Sequence, residues 1–308
     1  MGTIPHSTKV APSILVSGAT GTIGSEVLRL LTFKGTRPRA FVRDVSGAQL
    51  QLGKHVDIVK GDFDQPRTVA AALTGIDALF LLTPQDRRQV EWEQGIIDAA
   101  VMSGVRRVVK LSVFRADVSS RLQIARQHRE AEAALERSGL DYTILRPVFF
   151  MQNLLAMVRG GVLPSASGDG RLAMVDGRDV AAVAARTLTS AGHVGKTYTL
   201  TGPEAVSFDD VAAVMSQKTG AAIAHLRVPA NAVRSALEGA GVATWFAEDM
   251  ANLHGMLAAG YEDLTTDTVR AVTGQQPRTL AQFVATSLPS SGRRRVVSVD
   301  RESASRWR

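Results

Sequence analysis

The sequence predicts an α/β fold, a doubly wound parallel sheet followed by a smaller, helix-rich C-terminal lobe. Three observations carry this. Short apolar runs alternate with longer helical patterns from residue 13 to residue 147, the signature of crossover-connected parallel strands. A glycine-rich turn stands between the first run and the first helical pattern. Beyond Pro147 the alternation becomes irregular and helices dominate, as expected where a chain stops building sheet.

Taken in order, Ser13 to Ser17 reads as a strand, Gly18 to Gly24 as a turn, and Ser25 to Phe33 as a helix. Arg39 to Arg43 and Val56 to Lys60 are the next strands, followed by an Ala-rich helix near Thr68 to Leu73. Asp77 to Leu82 is a fourth strand, Glu91 to Ser103 a helix, and Arg106 to Val113 a fifth strand. The helix of ARQHREAEAALERSGL stops at Ser138-Gly139, a helix C-terminus signal, before the strand Tyr142 to Leu145 and a break at Arg146-Pro147. Val180 to Leu188, with Asp179 as its cap, and the strand Lys196 to Thr201 return to the sheet domain. From Phe208 to about Leu288 the chain is helical, with one strand near Ile223 to Val228. The expected division is 12–150 as a dinucleotide-binding domain joined by 176–202, with 151–175 and 203–288 as the smaller substrate lobe. Residues 1–11 and 289–308 read as flexible termini.

Composition bounds the function. The 308 residues are 45% hydrophobic and 21% charged, a globular balance that can bury a large core. No apolar run approaches the roughly 20 residues a bilayer needs, and the N-terminus lacks a signal pattern, so no membrane association and a cytoplasmic location are expected. Cysteine is absent, which rules out disulfides and thiolate chemistry. Six scattered histidines imply no metal site. The net charge of +7 is concentrated in the tail, where six arginines against Asp300 and Glu302 hold +4 and leave +3 elsewhere. Such a Ser- and Arg-rich end reads as a solvated tail, and no nucleic-acid module is recognisable.

LVSGATGTIGSEVLRLL places Gly18, Gly21 and Gly24 between strand and helix. A pyrophosphate needs a tight turn, close backbone approach and a helix N-terminus aimed at it, so the context indicates a Rossmann-type dinucleotide site. At the end of the second strand, AFVRD presents Arg43, a guanidinium suited to a 2′-phosphate, and favours NADP over NAD; pairing with Asp44 or solvent is the alternative. Asp62, after the third strand, either accepts from the adenine amino group or forms a turn.

SGATGTIG, FVRD, GDFDQPRTVAAALTGIDALFLLTP, HREAEAALERSGLDYTILRP and VDGRDVAAVAARTL, in that order, resemble the NmrA-like atypical short-chain dehydrogenases. Within them the likeness is greatest to the NAD(P)H:quinone oxidoreductase type 2 and triphenylmethane reductase branch, over about residues 13 to 288. The resemblance implies that Gly18, Thr20, Gly21, Thr22, Ile23 and Gly24 hold the pyrophosphate, Arg43 the 2′-phosphate, Asp62 and Phe63 the adenine, and Leu82, Thr83 and Pro84 the nicotinamide-side ribose. It places His128 and Glu132 on one helix face and brings RPVFFMQN, with Phe149, Phe150, Met151 and Asn153, into the substrate pocket.

No Tyr-x-x-x-Lys pair exists: Tyr142, Tyr198 and Tyr261 are followed four residues later by Arg146, Gly202 and Thr265. The phenol that protonates an alkoxide during ordinary ketone reduction is therefore missing. Two functions satisfy this. One is an NADPH-dependent reductase passing hydride to a quinone or other flat conjugated acceptor. The other is a non-catalytic NADP(H) sensor acting through a protein partner. Arginine exceeds lysine 29 to 7, which suggests a high-GC bacterial source, and relatives from such sources include tailoring proteins of aromatic natural products. His128, Ser112 and Lys110 are the catalytic candidates. Each has a plainer reading: His128 as a partly exposed ion-pair residue, Ser112 as a strand-end cap, Lys110 as a lysine reaching for solvent. A homo-oligomer or a regulatory protein partner is left open.

Overall fold

The computed structural model describes residues 12–260 and 263–288; the expected flexible termini and the basic tail lie outside them. The elements run β1 (Ile14–Val16), α1 (Thr22–Phe33), β2 (Arg39–Val42), α2 (Val45–Leu52), β3 (Asp57–Lys60), α3 (Pro66–Leu73), β4 (Ala78–Leu81), α4 (Gln89–Met102), β5 (Arg107–Leu111), α5 (Gln123–Arg137) and β6 (Asp141–Pro147). They continue as α6 (Asn153–Met157), β7 (Val162–Ser165), β8 (Arg171–Leu172), α7 (Gly177–Thr189), β9 (Lys196–Leu200), β10 (Val206–Ser207), α8 (Phe208–Thr219) and β11 (Ala224–Arg227). Four helices follow: α9 (Ala230–Gly239), α10 (Thr244–Ala258), α11 (Thr268–Thr273) and α12 (Leu280–Ser287).

Seven strands form one sheet in the order β3-β2-β1-β4-β5-β6-β9, and β3, β2, β1, β4 and β5 pair in parallel. This is the expected doubly wound arrangement, with its switch point between β1 and β4, where open α/β sheets bind ligands. The composition of the strands follows their place. β1 and β4, covered on both faces, read ILV and ALFL with every residue buried, whereas the outer β3 has none fully buried.

The chain divides into two compact units. The first comprises, among the described residues, 12–110, 134–143 and 184–196. Its core joins Leu15, Leu79 and Leu81 of the sheet to Val69, Leu73, Ile96 and Ile97 of α3 and α4. The second comprises, among the described residues, 111–133, 144–183, 197–260 and 263–288. Its core gathers Leu163, Met174, Phe208, Met215, Leu257 and Phe283.

Two local expectations are corrected. Asp179 does not cap the seventh helix; it lies in the first turn, where its carboxylate is taken by the backbone N–H and guanidinium of Arg278. Arg146-Pro147 does not break the sixth strand, which runs through Pro147; proline lacks only a donor, and Pro147 needs only its carbonyl, which accepts from Phe114 N at 3.0 Å. Five elements have no counterpart in the sequence reading: α2, whose start is set by Asp44 accepting from Gly47 N at 3.1 Å, α6, β7, and the two-residue strands β8 and β10, which pair antiparallel.

Candidate functional site

The turn after β1 is shaped by two glycines that nothing larger can replace. Gly18 has φ +60°, and a Cβ there would lie 2.8 Å from Leu82 Cγ. A Cβ on Gly24 would lie 2.1 Å from the carbonyl oxygen of Gly18, so α1 packs directly onto the turn. Gly21 differs. It is the N-cap of α1 with an ordinary extended conformation, φ −77° and ψ 171°, and its would-be Cβ meets only Gly18 O at 3.3 Å. What Gly21 leaves open is the helix end itself.

That end has the character of an anion site. α1 carries no side-chain cap and no acidic residue in its first turn, and Thr20, Gly21 and Thr22 are exposed while Ile23 is buried beneath them. By contrast α2, α8 and α12 are each capped by their own Asp44, Ser207 and Thr279. Unpaired N–H groups at a helix N-terminus, with half a positive charge of dipole behind them, suit a phosphate. The residues present therefore fit a dinucleotide: a cradle that a Cβ would fill, an uncapped helix and, at the end of β2, the exposed Arg43. Asp44 is used as the cap of α2, and Arg43 has no ion-pair partner among the described residues. Gln51 of α2 ties the two parts together by donating to Thr20 O at 2.9 Å.

Beyond β2, after β3, Asp62 does form the turn considered for it: its Oδ1 accepts from Asp64 N at 3.1 Å. Its other oxygen has no partner among the described residues. Phe63 sits between Phe41 and Trp92, with ring centroids 5.3 and 5.9 Å away. Asp64, missed in the sequence, accepts from Trp92 Nε1 and from Arg88 Nη1, each at 2.6 Å, and so fastens this loop to α4.

After β4, Leu82 is held by Ser17, whose hydroxyl exchanges bonds with the Leu82 N–H and C=O, each at 2.9 Å. Thr83 is buried, and its hydroxyl donates to Glu93 Oε1 at 2.7 Å; Pro84 is exposed. Glu93 also receives Lys110 Nζ at 2.5 Å, and both side chains are 0% exposed. Lys110 thus does not reach solvent. The fold brings two candidates, Thr83 and Lys110, onto one carboxylate that the sequence reading passed over.

In the second unit Ser112 is buried at the end of β5, and its hydroxyl donates to Glu132 Oε1 at 2.6 Å. Glu132 is fully buried and receives Arg146 through both Nε, at 2.9 Å, and Nη2, with Arg129 Nη1 at 3.2 Å on its outer side. His128, one turn earlier on the same buried face of α5, is 6% exposed, so the partly exposed reading of it is corrected. The start of α5 is fixed by Asp249 of α10, which accepts from Gln123 N at 2.8 Å and Ile124 N at 2.7 Å. Burial pushes the Asp249 carboxyl above its usual range, against the pull of those two backbone N–H groups.

The loop after β6 runs beside Val175, with Val175 N donating to Phe149 O at 2.8 Å and Met151 N to Val175 O at 3.0 Å. Phe149 and Phe150 are half-buried, as is Asn153 at the start of α6. Met151 is 2% exposed and belongs to the core of this unit rather than to a pocket wall. Trp245 is likewise buried, edge-on to Phe246 at 5.5 Å. Among the described residues no group of three or more metal-ligating side chains occurs, and no helix is long and apolar enough to cross a membrane.

The chain is 37% identical over 274 residues to an NAD(P)H azoreductase of Xenophilus azovorans, covering 88% of this chain and 96% of that one. Its fold superposes on the NADPH complex of an NADPH-dependent quinone oxidoreductase of Escherichia coli with a TM-score of 0.80, at 28% identity, covering 89% of this chain and 99% of that one. It superposes on the triphenylmethane reductase of Citrobacter sp. complexed with NADP(H) with a TM-score of 0.79, at 27% identity, covering 90% of this chain and all of that one. The NmrA-like family model matches residues 11–284, a span that takes in the glycine turn, the Thr83–Glu93–Lys110 contacts and the Ser112–Glu132–Arg146 contacts alike, and the chain belongs to that family.

Proposed function

We propose that the chain is an NADPH-dependent oxidoreductase that reduces a quinone or another flat, conjugated acceptor. The observation that carries this reading is the state of Ser112. Its single hydroxyl proton is committed to Glu132 at 2.6 Å, and Glu132 is held in place by Arg146 and Arg129. Ser112 therefore has lone pairs to offer a substrate and no proton. With no Tyr-x-x-x-Lys pair in the sequence, a simple ketone, which needs a proton as its carbon accepts hydride, is poorly served. An acceptor whose reduced anion is delocalised needs no such donor in that step.

The remaining residues have binding and orienting roles in this reading. The turn Gly18–Gly24 holds the pyrophosphate, Arg43 the 2′-phosphate, Asp62 and Phe63 the adenine side, and Leu82, Thr83 and Pro84 the nicotinamide side. When bound, NADPH supplies the hydride. Phe149, Phe150 and Asn153 meet the acceptor, with Met151 supporting them from the core, and the proton that the reduced acceptor takes up afterwards comes from water or from His128. The relatives named above, which act on azo compounds, quinones and triphenylmethane dyes, support an acceptor that is flat and conjugated.

The test is a titration with NADPH and with NADH, followed by NADPH oxidation in the presence of quinones, azo dyes, triphenylmethane dyes and conjugated enones. Tight NADPH binding with turnover on members of this panel is expected. In Arg43→Ala the affinity for NADPH should fall by about tenfold or more while that for NADH stays close to its wild-type value. Tight binding without turnover on any acceptor would overturn the reductase and leave a nucleotide sensor acting through a protein partner.

A further inference from the structure

The buried Thr83–Glu93–Lys110 contacts settle a question of hydrogen-bond direction. Glu93 Oε1 accepts from Thr83 Oγ1 at 2.7 Å and from Gln89 Nε2 at 3.2 Å, and Glu93 Oε2 faces Lys110 Nζ at 2.5 Å. An ammonium has only protons to give, so the carboxylate beside it has only lone pairs to give to Thr83. Thr83 must spend its one proton inward. Toward anything on its other side it can only accept.

A lysine and a glutamate with no exposed surface are costly to bury, and pairing seldom repays the whole of that cost. A threonine hydroxyl alone would be satisfied by any backbone carbonyl. The geometry points to a specific use: Lys110 and Glu93 are positioning residues that fix Thr83 as a hydrogen-bond acceptor for the carboxamide N–H group at the nicotinamide end of the cofactor. This rests on the proposed reading of residues 82–84 as the nicotinamide side. It assigns to Lys110 a role exerted through Glu93 and Thr83, and none in proton transfer.

The acetylpyridine analogue of NADP is the discriminating probe, because it replaces the carboxamide NH2 by a methyl group and keeps the carbonyl. Binding of NADP and of this analogue to the full chain is measured by calorimetry, so that the readout is independent of turnover. The wild type should prefer NADP by about tenfold, the worth of one hydrogen bond to a buried acceptor. Thr83→Val should reduce that preference to near unity, and Thr83→Ser, which retains the hydroxyl, should restore it. Glu93→Gln is the sharper variant. Lys110 compels the amide oxygen to face it, which turns the amide NH2 toward Thr83 and releases the threonine proton outward, so the preference should vanish or invert while binding of the analogue persists.

If Glu93→Gln does not fold, the valine and serine pair still decides the matter. A preference for NADP that survives Thr83→Val, or a wild type that binds both nucleotides equally, overturns the inference and leaves the cofactor site standing. A wild type that binds neither nucleotide overturns the cofactor reading itself.

Discussion

Glu132 offers the most direct measure of how the second unit is held together. Its carboxylate has no exposed surface and takes hydrogen bonds from Ser112, from Arg146 through two nitrogens, and from Arg129. Glu132→Gln conserves volume but removes the charge and places an amide NH2 against donors. Removing one partner of a buried pair costs about 3–5 kcal/mol. The two arginine side chains keep 23% and 27% of their surface in water, so they recover part of the loss, and about 3 kcal/mol is the expected cost. For a chain of this size that is a fall of about 5 °C in Tm. The assay is urea unfolding of wild type, Glu132→Gln, Arg146→Met and the double variant. Because Arg146→Met leaves Glu132 buried against fewer donors, the two single losses should overlap, and the double variant should cost at least about 1.5 kcal/mol less than their sum. A loss below about 1 kcal/mol for Glu132→Gln, or additivity within about 0.5 kcal/mol, would refute the view that this carboxylate organises its neighbours.

The glycine turn predicts two separable phenotypes. Gly21→Val, at a backbone conformation valine tolerates, should leave the unfolding midpoint within about 1 kcal/mol of wild type yet abolish NADPH and NADH binding; retained affinity would remove this helix end as the pyrophosphate site. Gly24→Ala, whose Cβ would meet Gly18 O at 2.1 Å, should instead lower the midpoint, and an unchanged midpoint would show that the turn relaxes freely. His254 predicts acid sensitivity. Its Nδ1 accepts from Ala166 N at 3.0 Å, and burial, with His225 nearby, pushes its pKa from 6.5 down to about 4. The folded chain thus keeps this imidazole neutral where the unfolded chain protonates it, so the stabilisation is complete above pH 6.5 and is lost as pH falls toward 4. Between pH 7 and pH 5 the loss from this group is about 2 kcal/mol. His254→Gln, which still accepts from Ala166 N, should flatten that part of the stability curve; parallel curves for wild type and variant would assign the acid sensitivity elsewhere.

The sheet was legible because its signals are local. A run such as ALFL between turn residues, or three glycines between strand and helix, declares itself within a dozen residues. Even so, the reading failed where a neighbour distant in sequence decided the outcome. Asp179 looks like a cap in VDGRDV, yet the claim on its carboxylate comes from Arg278, and no window around Asp179 contains that fact. The strand expected to stop at Arg146-Pro147 continues because residue 114 supplies a bond to the Pro147 carbonyl.

The candidate site divides along the same line. Gly18 and Gly24 are demanded by backbone sterics within seven residues of each other, so sequence alone could place them. Lys110 and Glu93 each look anomalous in isolation: a lysine among the buried residues of RVVKL, and a glutamate on the helix stripe formed by Gln89, Ile96, Ile97 and Ala100. Two opposite charges on faces that should be apolar are themselves a signal, since neither can be buried alone and each requires the other or water. Sequence cannot say which of the two it is. That depends on β4 and β5 being neighbours with α4 packed where it is, a consequence of strand order rather than of any local pattern. The same holds for Glu132 and Arg146, fourteen residues apart, and it leaves the Ser112 hydroxyl, whose proton goes to Glu132, only lone pairs to offer. Charges stranded on apolar faces are therefore the places where a sequence of this class should be searched for partners before any catalytic role is assigned to them.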